Sequence, residues 1–233
     1  MDDFPLPPPE ESRDSPRHGF QGDRGPLPPR AEFPAGLTVA ISREAGSRGG
    51  TIGRRAARQL GWQIYDQELL EYVSQEGPMH QELIDALPPA AADWMGRRLE
   101  QLVREQSVSQ HPSVLRLARA ILALAAQGGV VLIGRGAGLL LPAETTLNVR
   151  VLAPLADRVA YMGQWLRLTN EEAAERVRLR DARRAEFLAT HFHRQPAEPH
   201  QYDLVLNSSL LGEEVCADLI VAATRAKGAA CFD

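Results

Sequence analysis

Between Leu37 and Leu60 the chain reads LTVAISREAGSRGGTIGRRAARQL, a stretch with few ways to fold. Alternating Leu37, Val39 and Ile41 predict a short strand. A loop with Gly46, Gly49 and Gly50 follows, and an arginine-rich helix begins near Thr51. Strand, glycine loop and helix in that order aim backbone N–H groups and a positive helix end at one point, the arrangement that suits a phosphate. Such a loop usually closes with Gly-Lys-Ser/Thr. Here Gly49, ahead of Gly50-Thr51, marks the absence of the lysine. The chain has one lysine, Lys227, near its C-terminus, so a cation meeting a phosphate near the loop would be an arginine. Arginine is also this chain's habitual base, which makes any single arginine weak evidence.

The rest of the chain repeats the alternation of strand and helix. Apolar runs at 62–65, 130–133, 147–152 and 203–206 predict four more strands. Helices are expected at 67–76, 79–86, 93–106, 113–126, 155–167, 170–190 and 212–226, several punctuated by Gly or Pro such as Gly77-Pro78, Pro88-Pro89 and Gly128-Gly129. Five apolar strands separated by helices imply an α/β fold, a parallel sheet covered on both faces. Ligands of such sheets sit at the carboxyl ends of the strands. The glycine loop, Asp66 and Gly134-Arg135-Gly136 all fall at such ends.

Residues 1–34 differ in kind. They hold nine of the 17 prolines, and seven acids against four arginines. A segment of this composition buries too little apolar surface to offset its ordering entropy, so it is expected to be a disordered tail, passive or serving as a docking or linker segment. It lacks a secretory apolar core and is too acidic for a typical transit peptide. Residues 35–233 are enough for one domain. The net charge of −4 comes mostly from the tail, which argues against charge-driven nucleic-acid binding. No stretch approaches a membrane span. Cys216 and Cys231 form neither a metal-spacing pattern nor a disulfide framework, and a reduced cytoplasmic setting is expected.

The segments ISREAGSRGG, LGWQIYDQELL, VLIGRGAG, DARRAEFLATHF and YDLVLNSSLLGEEVCADLI, in that order, resemble the cytidylate kinase-like branch of the P-loop nucleoside monophosphate kinases. The resemblance implies a P-loop NTPase-type five-stranded parallel sheet flanked by helices. It also implies a nucleotide-closing insertion around 66–112 and an Arg-rich lid around 170–195. The implied reaction moves the γ-phosphoryl group of ATP to CMP or dCMP, with Mg²⁺. Phosphoryl transfer needs positioning and charge neutralisation more than covalent help, so arginines and loop N–H donors suit it.

By that resemblance Gly46, Ser47, Arg48, Gly49, Gly50 and Thr51 would cradle the donor phosphates. Arg48 would stand in for the missing cation, and the Thr51 hydroxyl would meet Mg²⁺. Arg135 would hold the acceptor phosphate, and Arg180, Arg183 and Arg184 would close over the transferring group. The alternative for these three is a solvated helix face supported by pairs such as Glu172–Arg176. Asp66 either contacts the nucleotide or a Mg²⁺-bound water, or simply caps the next helix. Asn207-Ser208-Ser209 either lies beside the donor base or forms a turn and cap. His191 and His193 are wrongly spaced for a shared metal on a helix.

Three departures from the family pattern stand out: the absent loop lysine, Gly136 in place of an acid after Gly134-Arg135, and no arginine in QELLEYVSQE after the second strand. The alternatives to a cytidylate kinase are therefore a weakly active or inactive nucleotide-binding module, with a protein partner on the tail, and a kinase for another small acceptor.

Overall fold

The computed structural model describes residues 36–75 and 77–232. The expected tail at 1–34 lies outside them. Five strands, β1 (Thr38–Arg43), β2 (Gln63–Tyr65), β3 (Val130–Ile133), β4 (Thr146–Leu152) and β5 (Leu204–Asn207), form one sheet in the order β2-β3-β1-β4-β5. Every pairing is parallel. Thr38 to Ile41 run beside Val130 to Ile133 on one side, and Thr38 to Arg43 beside Thr146 to Val151 on the other. Strand β3 shows no polar alternation, because both of its faces are covered: all four of its residues are buried.

Helices α1 (Gly49–Leu60) and α9 (Ser208–Phe232) cover one face. Ile52, Ala56, Cys216, Ala217 and Ile220 pack there against Val39, Ile41 and Val149. Burial pushes the Cys216 thiol up from its ordinary value. On the other face lie α2 (Gln67–Ser74), α3 (Pro78–Asp85), α4 (Pro89–Arg104), α5 (Pro112–Gln127) and α6 (Ala137–Leu140). Helix α5 is buried nearly all round, from Ala120 to Ala126, and its alanines let it lie close against its neighbours. Helices α7 (Leu155–Leu166) and α8 (Asn170–Phe192) pack on each other through Val159, Met162, Ala173 and Val177, with Ala45 of the glycine loop in the same cluster.

The expected elements are present, with shifted ends. Helix α4 begins at Pro89 rather than near 93, since proline suits the first helical position. Helix α9 starts at Ser208, is interrupted at Gly212 (φ 78°, ψ 166°) and runs on past the expected end at 226. Helix α6 and a 3₁₀ turn at Pro199–Gln201 were not expected. Glu172, which the solvated-face alternative would pair with Arg176, completes a capping box with Thr169 at the start of α8. Lys227 donates to the Thr146 carbonyl at 2.6 Å and pairs with Asp203 at 3.1 Å, which fixes α9 to the amino end of β4, away from the strand ends that matter below. Among the described residues no helix is long and apolar enough to cross a membrane.

Candidate functional site

A cavity of about 1220 Å³ opens at the carboxyl ends of β1, β3 and β4, under α8. Seven arginines line it: Arg43 from β1, Arg54 from α1, Arg135 after β3, Arg150 from β4, and Arg180, Arg183 and Arg184 from α8. Glu44, Asp66, Glu68, Asp181 and Glu186 also line it, so guanidiniums outnumber carboxylates. Two of those carboxylates are shared between a cavity arginine, Arg150 for Glu44 and Arg184 for Asp181 at 3.7 Å each, and closer partners outside the cavity. Glu44 meets Arg158 at 3.3 Å and accepts from the Ala153 N–H, and Asp181 accepts from Arg158 Nη1 at 2.5 Å. The surplus of positive charge is what a polyanionic ligand would offset.

Arg43, the last residue of β1, was not singled out in the sequence. A Cβ at Gly49 would lie 2.6 Å from the Arg43 Cβ, and a Cβ at Gly134 would overlap its guanidinium. Glycine at these two positions therefore opens the path along which the Arg43 side chain runs from the loop to the turn after β3. That requirement was the only available signal in the sequence. Among the described residues no hydrogen bond or ion pair reaches the Arg43 guanidinium. Burial first, then the neighbouring Arg184, Arg135 and Arg180, press its pKa down to about 9, with Asp66 opposing them.

The turn after β3 is built unusually. Gly134, Arg135 and Gly136 all have positive φ (86°, 54° and 70°), which places a non-glycine residue in the left-handed region. Arg135 pairs with Glu71 of α2 and lies over the Phe187 ring of α8, 4.7 Å from its centroid. Its Nε is buried without a hydrogen-bond partner, and burial lowers its pKa. His191 Nδ1 and Gln201 Oε1, on two more residues of the cavity lining, are orphaned in the same way. Burial, with Arg184's own guanidinium neighbours, lowers the Arg184 pKa, and this side chain reaches the Arg43 carbonyl at 3.4 Å.

The profile of the cytidylate kinase-like family matches residues 38–210, more than half of the chain. The chain belongs to the cytidylate kinase-like family. A solved but uncharacterized protein from Eubacterium ventriosum shares the fold, with a TM-score of 0.57 at 15% identity over 82% of this chain and 98% of that one. A shikimate kinase from Bacteroides thetaiotaomicron aligns at a TM-score of 0.42 and 13% identity, covering 82% of this chain and 96% of that one. A curated uronate isomerase from Corynebacterium glutamicum is 35% identical over 103 residues, 44% of this chain; the match spans only 20% of that protein.

Set on this cytidylate kinase-like frame, the expected site residues divide into two groups. Arg135, Arg180, Arg183, Arg184 and Asp66 come together at the cavity, whereas of the six loop residues only Gly50 lines it. Arg48 is placed elsewhere than expected: it is in the left-handed region at the start of α1, 3.8 Å from Glu213 and over the Tyr161 ring. Ser47 is fully buried, its hydroxyl donating to the Glu44 and Val151 carbonyls. A side chain at Gly46 would run into the Arg158 carbonyl oxygen. Thr51 is half-buried in the first turn of α1.

The residue directly before Thr51 is Gly50, and the Arg54 guanidinium stands 3.7 Å from where its Cβ would be. Asp66 caps α2, accepting from the Leu69 N–H at 3.2 Å, while it also faces the cavity. Asn207 caps the first turn of α9, and the Ser208 hydroxyl donates to the Ser47 carbonyl at 2.8 Å, so this segment supports the loop. His193 caps α8 in the left-handed region, and His191 stacks edge-on against Phe187.

Proposed function

We propose that this cytidylate kinase-like protein transfers the γ-phosphoryl group of ATP to CMP or dCMP. The observation that supports this best is the convergence of seven arginines on one cavity. Bound ATP would supply the activated phosphoryl group. Arg135 would hold the acceptor phosphate, and Arg180, Arg183 and Arg184 would meet charge on the group in transfer. The Gly50 N–H at the start of α1, from the one loop residue of the six that lines the cavity, would face the donor phosphates. The acceptor phosphate oxygen is already anionic, so no strong base is needed.

Among the described residues no group of three or more His, Cys, Asp or Glu is placed to hold a metal ion. A magnesium ion carried on nucleotide phosphates needs only one or two protein oxygens. Thr51 would offer its hydroxyl to such an ion, and Asp66 is a carboxylate of the cavity lining.

One contact favours a second reading, a nucleotide-binding module with little turnover. The Ala45 N–H in the loop donates to Asp181 of α8 at 2.7 Å, so a carboxylate already occupies a donor that a phosphate would use. An ADP-release assay with Mg-ATP against CMP, dCMP, UMP, AMP, GMP and shikimate separates the two. CMP- or dCMP-dependent turnover that Arg135→Ala abolishes supports the kinase. ATP binding without turnover on any acceptor supports the module.

A further inference from the structure

The loop's cation has to come from a residue other than lysine, and Arg48 points at Glu213. Two arginines stand beside the paired glycines: Arg54, exposed on α1 beyond Gly50, and Arg43, which runs past Gly49 to Gly134. They differ in what their placement costs. Arg54 is solvated at the cavity's edge, where a guanidinium is tolerated without a partner. Arg43 is half-buried, lacks an ion pair among the described residues and has Arg184, Arg135 and Arg180 around it, with the Asp66 carboxylate opposing them. A charge kept in such a place destabilises the empty protein unless an anion joins it. Gly49 also leaves the room that the Arg43 Cβ occupies.

We propose that Arg43 is the phosphate-binding cation of this cavity, its side chain starting beside Gly49 of the glycine loop and its guanidinium lying at the Gly134 turn, where it contacts phosphoryl oxygens of a phosphate or diphosphate ester. This rests on the reading of the cavity as a phosphoryl-transfer site and adds the residue that replaces the lysine. Position explains why an arginine suits the task. The planar fork presents several N–H donors at once, and from the end of β1 it reaches toward both the loop and the turn that carries Arg135.

The test is isothermal titration of the full chain with metal-free pyrophosphate, using wild type, Arg43→Met, Arg54→Ala and Arg48→Ala. Arg43→Met is expected to weaken pyrophosphate roughly 10- to 100-fold, the loss of hydrogen bonds from a charged donor. Arg48→Ala should leave the affinity within about threefold, since that side chain lies outside the cavity. Thermal melts supply a readout that a merely structural role would not give. Without ligand, Arg43→Met should melt higher than wild type, because a poorly solvated charge among like charges is gone. Pyrophosphate should raise the melting point of wild type and not that of the variant.

Unchanged affinity in Arg43→Met overturns the proposal, as does a larger loss in Arg54→Ala. Absence of pyrophosphate binding by wild type overturns it too, and so does a lower melting point for Arg43→Met. Should Arg43→Met not fold, Arg43→Gln, polar and similar in length, is read by the same titration. Failure of the kinase reading is separable. Pyrophosphate binding through Arg43 without CMP turnover would sink the kinase and leave this inference standing. CMP turnover undiminished in Arg43→Met would do the reverse.

Discussion

The glycine loop and helix α8 face each other, and they use their polar groups in opposite ways. In the loop, the Ala45 N–H goes to Asp181, the Ser47 hydroxyl to two carbonyls, and Arg48 to Glu213. On α8, Arg180 and Arg183 line the cavity with no ion-pair partner among the described residues, and Arg184 is only loosely held by Asp181 at 3.7 Å. The loop carries the recognisable motif, whereas the helix carries the available charge. Glycine spacing dictates a backbone path. It says little about where neighbouring side chains point, because that is decided by the elements packed around them.

The largest expected effect follows from this contrast. Arg183→Ala combined with Arg184→Ala should lower CMP-dependent turnover roughly 10³-fold or more, the scale of losing transition-state cations. Arg48→Ala should cost less than about tenfold, through a slightly loosened start of α1. Steady-state kinetics on both proteins decides it. Comparable losses in the two would erase the distinction between loop and helix.

Asp181 links the two regions and sharpens the comparison. Its carboxylate accepts from Ala45 and from Arg158, whose side chain is almost wholly buried and also donates to the Ala45 and Ala153 carbonyls. Asp181→Ala removes that anchor and should destabilise the protein by about 1–3 kcal/mol, read by urea unfolding. If the carboxylate stands where a donor phosphate would bind, the same variant should bind ATP more tightly. Weaker ATP binding would instead make Asp181 a support for the loop.

The sheet was legible because its signals are local and redundant. The apolar run from Val130 to Ile133 has little to be but a buried strand, and Gly128-Gly129 stops the helix before it. Helix α6 was not legible, since four residues after a turn of positive φ carry no period. Among site residues, Arg135 was readable from Gly-Arg-Gly at a strand end. Arg43 was not, because at the end of β1 it looks like an ordinary polar boundary, and its role depends on glycines 6 and 91 positions further along the chain. Gly49→Ala tests that dependence. The added methyl would stand 2.6 Å from the Arg43 Cβ and should cost about 1–3 kcal/mol by thermal melt. An unchanged melting point would mean that Arg43 moves aside freely.

The smallest effect sits at the amino end of α8, where the contrast concerns how the arginine helix is held and not what it contacts. Thr169 accepts from the Glu172 N–H at 3.3 Å, and Glu172 accepts from the Thr169 N–H at 2.8 Å and its hydroxyl at 2.9 Å. Thr169→Ala should destabilise the protein by about 1 kcal/mol, the usual worth of such a cap, with turnover little changed. The Thr169 hydrogen bonds hold the Glu172 carboxyl below its ordinary 4.5. A depressed acid stabilises the folded state fully above 4.5 and loses that contribution as pH falls through its lowered value. Thr169→Ala keeps the N–H bond, the larger cause, and loses only the hydroxyl's share, so the gap in melting point between the two proteins should be constant above pH 4.5 and narrow modestly below it. A gap that stays constant into the acid range would mean that the threonine hydroxyl caps the helix without help from Glu172.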